Sequence, residues 1–227
     1  MAAPATHQGP RAQRSAIGAK GEAWTRQVLD GHAAGDASTV VLHGLSAPGM
    51  GRGDIDHVVV RQAATGPVVL ILDSKCWAPG FYWSLAGRVY RGWTRFRPAE
   101  HVVTRLAAEK LGQHLLACMP ASKHDNSQAS KTASMKVSLH ASKNEGLQAS
   151  RTASKQNREV AMLTPLVVIW PSRPSRLSAI HFRLGDGTPW CRGHDLAAYL
   201  TRTLPPSSGD PVDPQLVAAL ASLRRSA

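Results

Sequence analysis

The sequence predicts a mixed α/β domain, and three observations carry that prediction. Helical and strand-like patterns follow one another in the order helix, three strands, helix, strand, with a further strand and helix behind them. Two hydrophobic β-like runs, 54–60 and 68–75, carry acidic residues at an end and are separated by the turn Thr65-Gly66-Pro67. A third apolar run, 163–170, is bounded by Pro165 and Pro171 and reads as a strand buried on both faces.

The elements follow in chain order. Residues 1–14 are rich in Ala, Pro, Gln and Arg and read as a disordered tail. Residues 15–29 read as a helix, because Ile17, Gly21, Trp24 and Val28 recur at i, i+4, i+7 and i+11. Glu22 lies on the shoulder of that stripe, in line with Leu29. Residues 39–45 form the first strand, followed by the glycine-rich loop 46–53. Strands at 54–61 and 67–75 come next, and the aromatic-rich stretch 81–93 reads as a hairpin beside them. Pro98 opens a second helix that runs to about Met119, with Val102, Val103, Leu106, Leu111, Leu115 and Leu116 as its core positions. Beyond the buried strand lie a shorter strand at 179–184, a turn at Gly185-Asp186-Gly187 and a helix at 194–204. Residues 205–209 read as a linker. Asp213 and Pro214 suit the N-cap and first position of a terminal helix ending in Arg224-Arg225.

Residues 121–158 differ in kind. Ala121-Ser122-Lys123 recurs as Ala141-Ser142-Lys143, and the heptapeptide 128–134 recurs almost unchanged as 148–154, a tandem repeat with a period of 20 residues. The segment is polar and basic, with only Leu139 and Leu147 as leucines, so it buries too little to offset chain ordering. It reads as a disordered insertion within a domain spanning 15–204; residues 205–227 form the linker and terminal helix.

The chain of 227 residues suits one domain with tails. Its formal net charge of +12, with a pI of about 10.4, points to a polyanionic partner, nucleic acid above all. Cys76, Cys118 and Cys191 are odd in number and scattered, which reads as reduced thiols rather than a disulfide framework. Cys191-Arg192-Gly193-His194 is a single C-x-x-H pair and does not make a zinc site by itself. The first 20 residues lack an apolar signal-peptide core, and no apolar run reaches bilayer-spanning length. The expected location is therefore the cytoplasm, with no membrane partner. No Gly-x4-Gly-Lys-Ser/Thr loop is present, so nothing implies ATP.

Side chains alternate across a strand, so Asp54 and Asp56 are expected on one face, as are Asp73 and Lys75. If the two strands are hydrogen-bonded neighbours, carboxylates and an ammonium converge. Hard divalent cations prefer carboxylate oxygens, and a lysine beside them can stabilise a developing phosphate charge. Asp56 and Asp73 are the candidate metal ligands, and Lys75 is the candidate to orient the attacking water or to stabilise the transition-state charge. Asp54 either ligates or pairs with Arg52. His57 is expected on the opposite face, packed and hydrogen-bonded rather than catalytic. Trp77 and Trp83 are read as packing against the sheet, with stacking on bases or ribose as the alternative.

This arrangement resembles the PD-(D/E)XK nuclease signature, with Asp56 on one strand and Asp73-Ser74-Lys75 on the next. More closely, the chain resembles the nuclease-related domain family, NERD. The matching features are Gly21-Glu22 in an N-terminal helix, 54–60 with its Asp-Ile-Asp-His start, Asp73-Ser74-Lys75 after an apolar strand, and Trp77 nearby. The resemblance covers roughly residues 15–204 apart from the insertion. It differs at Asp73, where the family usually has Glu, and at 97–101, where the family often has Asn-Pro-X-X-Gln. The resemblance implies a restriction-endonuclease-like core, a mixed central sheet flanked by helices. It also implies a Mg2+-dependent nuclease, with Mn2+ as a substitute ion, hydrolysing DNA phosphodiesters through Asp56, Asp73 and Lys75. Glu22 enters that metal site by resemblance alone. A nucleic-acid-binding module of the same fold with little or no catalysis is the alternative.

Overall fold

The computed structural model describes residues 10–51, 54–86, 88–96, 101–118, 160–172, 177–180, 184 and 187–224. Its mixed α/β architecture is built on a sheet in the order β1 (Thr39–Ser46), β2 (Asp54–Ala63), β3 (Gly66–Trp77), β8 (Leu166–Pro171), β10 (Trp190–Arg192). The first three strands pair antiparallel, whereas β8 runs parallel to β3 and β10 parallel to β8. A short strand, β7 (Ala161–Met162), also runs parallel to β3, and Pro165, lacking an N–H, falls in the gap between β7 and β8. The apolar run expected as a strand from 163 thus becomes strand only from Leu166, and β7 is a separate short strand that precedes the run. β10 has no counterpart in the sequence reading, because three residues are too few to display a period.

Helices cover both faces. On one face α1 (Pro10–Ala33) and α3 (Leu196–Thr203) pack Leu29, Leu196 and Leu200 against Val59, Leu70, Leu72 and Val168. On the other, α2 (His101–Cys118) and α4 (Pro214–Ala221) pack Leu111, Leu115, Leu216 and Leu220 against Val58, Val60, Val69 and Ile71. Each of these leucines is fully buried. A Leu→Ala change at such a position costs about 2–5 kcal/mol.

A second sheet, in the order β6 (Thr94–Phe96), β5 (Arg88–Arg91), β4 (Gly80–Leu85), β9 (Leu177–Ile180), leans on the first. Tyr82 and Val89 are buried against Val167 and Ile169 of β8. Trp77 joins this contact, its ring centroid 4.9 Å from that of Tyr82, so it packs as expected. Trp83 does not: it lies on the other side of the second sheet, stacked on Tyr90.

Several boundaries and core positions move. α1 begins at Pro10, within the stretch read as a tail. Its buried line is Gly21, Thr25 and Leu29, with Trp24 and Val28 beside it. Gly21 allows close approach, since a Cβ there would already touch the Cys76 Cβ at 3.4 Å. Leu106 and Leu116 of α2 are exposed, at 41% and 43%, because the buried face runs through Thr104, Ala107, Ala108, Leu111 and Leu115. β9 covers 177–180 rather than starting at 179, and residues 181–183 of the expected strand lie outside the described residues. The expected cap forms: Asp213 accepts a hydrogen bond from Gln215 N at 2.8 Å, with Pro214 next to it. That helix ends at Ala221, short of Arg224. The tail 1–9, the Arg52–Gly53 part of the loop, Pro98, and the repeat segment 121–158 lie outside the described residues. No helix among the described residues is long and apolar enough to cross a membrane.

Candidate active site

The antiparallel ladder between β2 and β3 ends at His57 and Leu72, and Asp56 and Asp73 are the next residues on each strand. The two acidic runs are therefore hydrogen-bonded neighbours. Asp73 and Lys75 share a face with Val167 and Ile169, their register partners on β8. That face is bounded by α2 on one side and by the second sheet, seated on Val167 and Ile169, on the other.

Each acidic side chain is held. Ser74 N donates to Asp56 Oδ2 at 2.7 Å. Lys75 Nζ lies 2.9 Å from Asp73 Oδ1, and Thr104 Oγ1 of α2 donates to Asp73 Oδ2 at 3.1 Å. Asp73 and Lys75 stay partly open, with side-chain exposures of 14% and 26%. Burial, and then the Asp73 charge, push the Asp56 carboxyl up to about 8; the Ser74 N–H and Lys75 pull the other way. Glu22, an exposed residue of α1, adds to the upward push, so its field reaches Asp56 from the opposite helix layer. The four residues named from the sequence thus gather electrostatically at one corner, and the tightest contacts are those of Asp56, Asp73 and Lys75.

The donor set fits a hard divalent cation. The Asp73 charge opposes ionisation of the Asp56 carboxyl, and a cation beside both would offset that effect. Mg2+ commonly takes one or two carboxylates, several waters and substrate oxygens. Among the described residues, no three His, Cys, Asp or Glu side chains stand close enough to form a complete protein cage.

The reverse side of this corner is a buried polar chain. His57 is 1% exposed; its Nδ1 meets His43 Nδ1 at 2.7 Å and its Nε2 meets Ser74 Oγ at 3.1 Å. His43 Nε2 lies 3.0 Å from Asp30 Oδ1. Ser74 Oγ donates to Thr25 Oγ1 at 2.8 Å, and Trp170 Nε1 reaches the same oxygen at 2.8 Å. Burial, then His43 and Arg26, bring His57 down to about 3, so it is neutral at physiological pH. His57 is a packed, hydrogen-bonded residue, as expected. Because Ser74 touches both sides, its side chain in this chain and its N–H on Asp56, the network fixes the strand end that presents Asp56.

Asp54 is exposed at the start of β2, opposite Ser46; its expected alternative partner Arg52 lies outside the described residues. Sequence reasoning missed Thr25, Ser74 and Thr104. The available signal was a small polar residue on the apolar face of each helix, Thr25 in α1 and Thr104 in α2. Cys191 is buried, which pushes its thiol up to about 12, and Cys76 and Cys118 are likewise free. No family model, curated protein or solved structure matches the chain.

Proposed function

We propose that the chain is a Mg2+-dependent nuclease that hydrolyses phosphodiester bonds in DNA, on a restriction-endonuclease-like core of the nuclease-related kind. The observation that carries this reading is the convergence of Asp56, Asp73 and Lys75 at the ends of adjacent strands, with Asp56 driven up to about 8. Asp56 and Asp73 would hold the ion, with Glu22 as the supporting carboxylate. Bound there, Mg2+ would lower the pKa of a water and neutralise phosphate oxygens. The Ser74 N–H orients Asp56, and Thr104 orients Asp73. Lys75, pivoting from Asp73, donates to a non-bridging phosphate oxygen as negative charge builds there. The basic balance of the chain supplies attraction for the substrate backbone.

Cleavage of plasmid and single-stranded DNA with Mg2+ tests the reading, with Asp73→Ala and Lys75→Ala measured beside the wild type. Loss of one oriented charge at such a site typically removes a hundredfold or more of the rate, about 2.7–4 kcal/mol. Equal residual cleavage in all three proteins would assign the activity to a contaminant and end the proposal.

One observation favours a second reading, a nucleic-acid-binding module without catalysis. Lys75 is already paired with Asp73, which is one methylene shorter than the family's glutamate. That reading predicts salt-sensitive DNA binding and no Mg2+-dependent cleavage.

A further inference from the structure

The second sheet carries a surface that the carboxylate corner does not use. Register sets Trp83 opposite Tyr90, Tyr90 opposite Arg95, and Leu85 opposite Arg88. Alternation places these residues, with Phe81, on one face, while Tyr82 and Val89 occupy the other face and are buried. The outer face therefore carries aromatic side chains on β4 and β5, continued by an arginine on β6. Trp83 and Tyr90 stack with centroids 4.5 Å apart and an interplanar angle of 17°. Trp93, in the turn between β5 and β6, stands edge-on to Trp83 at 6.3 Å and is 94% exposed. Phe81 and Leu85 are exposed too, at 41% and 61%. Trp83 Nε1 donates to Gly92 O at 2.7 Å, which pins the indole to that turn and presets the row.

An exposed apolar cluster of this kind marks an interaction site. Charge decides what binds it. The charged residues that register places on this face are both arginines, Arg88 opposite Leu85 and Arg95 opposite Tyr90. A second copy of the same face would set arginine against arginine, and an apolar peptide would leave the guanidinium groups unmatched. A polyanion with flat apolar groups satisfies both features. In a duplex the base faces are covered by their neighbours, whereas an unpaired strand offers them for stacking.

We propose that this face binds single-stranded nucleic acid, with unpaired bases stacking on Trp93 and the Trp83–Tyr90 pair and with phosphates meeting Arg88 and Arg95. The proposal rests on the reading of the chain as a nucleic-acid protein and is independent of catalysis.

Fluorescence anisotropy in EDTA with a labelled oligo-dT of about 15 nucleotides, the upper range of a stacking platform, tests it without cleavage. Full-length wild type should bind oligo-dT more tightly than a blunt hairpin duplex at equal salt. Trp93→Ala, which removes an exposed ring, should weaken oligo-dT binding about tenfold and leave duplex binding within twofold. Arg88→Ala with Arg95→Ala should reduce the salt slope of oligo-dT binding by about 1.4, for two phosphates on a single strand. Oligo-dT affinity within twofold of wild type in both variants, with wild-type circular dichroism and melting, overturns the proposal. So does duplex binding as tight as oligo-dT binding in the wild type, or no binding of either. Asp73→Ala, run alongside, separates the two readings: it should lose Mg2+-dependent cleavage and keep oligo-dT binding. Cleavage unchanged by Asp73→Ala with aromatic-dependent binding intact refutes the nuclease alone.

Discussion

Asp56 is withheld from water and set against the field of Asp73, and both effects favour its neutral form. Its unperturbed value is 3.8 and its folded value about 8. Between these limits the unfolded chain has released a proton that the folded chain keeps. Folding stability therefore falls as pH rises through that window and levels off above it. Asp56→Asn removes the effect, so the wild-type Tm should drop from pH 5 to pH 8 by more than the variant's. His57 works in the opposite sense from pH 3 to 6.5, but it is present in both proteins and cancels in the comparison. Millimolar Mg2+ should raise the wild-type Tm at pH 8 and leave the variant's unchanged, since a ligand stabilises only the state that binds it. Thermal melts across pH check this, and parallel curves for the two proteins would remove Asp56 as a strained carboxylate. At this scale the sequence was informative for Asp56, Asp73 and Lys75, because strand alternation and the two-residue spacing put them near one another. For Thr25 and Thr104 it showed only a small polar residue on an apolar helix face, because their roles come from helices packed across the sheet rather than from neighbours in the chain.

Alternation itself fails at one place in the elements. Leu42 and Leu45 enter the same core cluster although they are three residues apart, and so do Ile55 and Val58 across from them. Gly44 stands between the two leucines at φ +64, a conformation that costs other residues about 1–2 kcal/mol, and it lets β1 switch faces. Asp56 sits in the matching stretch of β2, so its presentation depends on that switch as well as on the period of two. A glycine inside a strand pattern is ambiguous in sequence, which is why the kink was not legible. The exposed Leu106 and Leu116 have a similar origin: several leucines fit more than one helical face, and the sheet selects the face containing Ala107 and Ala108. Gly193 makes a sharper demand. A Cβ there would fall 2.1 Å from Cε2 of Trp170, the ring whose Nε1 reaches Thr25. Gly193→Ala should thus cost about 1–3 kcal/mol by overpacking and change the near-UV circular dichroism of the tryptophans. Gly31→Ala is the control, because nothing lies within 4 Å of its would-be Cβ and a helical alanine is favoured by about 0.5–1 kcal/mol. Denaturant unfolding of both variants decides; equal stability of the two would mean that the Trp170 contact yields freely.

For the molecule as a whole, charge and core are distributed differently along the chain. Residues 121–158 hold seven lysines and arginines against two acids, a net +5 of the chain's +12. Replacing them with an uncharged Gly/Ser linker of equal length should flatten the salt dependence of DNA binding and leave the Tm within a few degrees. An unchanged salt slope would show that the folded surface alone neutralises phosphates. The C-terminal segment is the reverse case. Residues 205–227 read in sequence as a linker and a terminal helix, since Pro205-Pro206 and Ser207-Ser208-Gly209 look like a spacer. In the fold, Ser208 N donates to Gln62 O at 2.9 Å and Ser46 N donates to Leu223 O at 2.8 Å, tying the segment to β1 and β2. Val212, Leu216 and Leu220 lie in the same buried cluster as Val58, Val69 and Leu111. Local sequence cannot reveal such a return, because the helix's partners lie more than about 100 residues earlier, a separation that leaves no periodic trace. Losing each of these leucines costs about 2–5 kcal/mol, and a domain of this size has only about 5–15 kcal/mol in total. Truncation after Leu204 should therefore abolish cooperative unfolding and release apolar surface to a dye such as ANS. A truncated chain that still melts cooperatively near the wild-type Tm would show that the sheet closes its α2 face without α4.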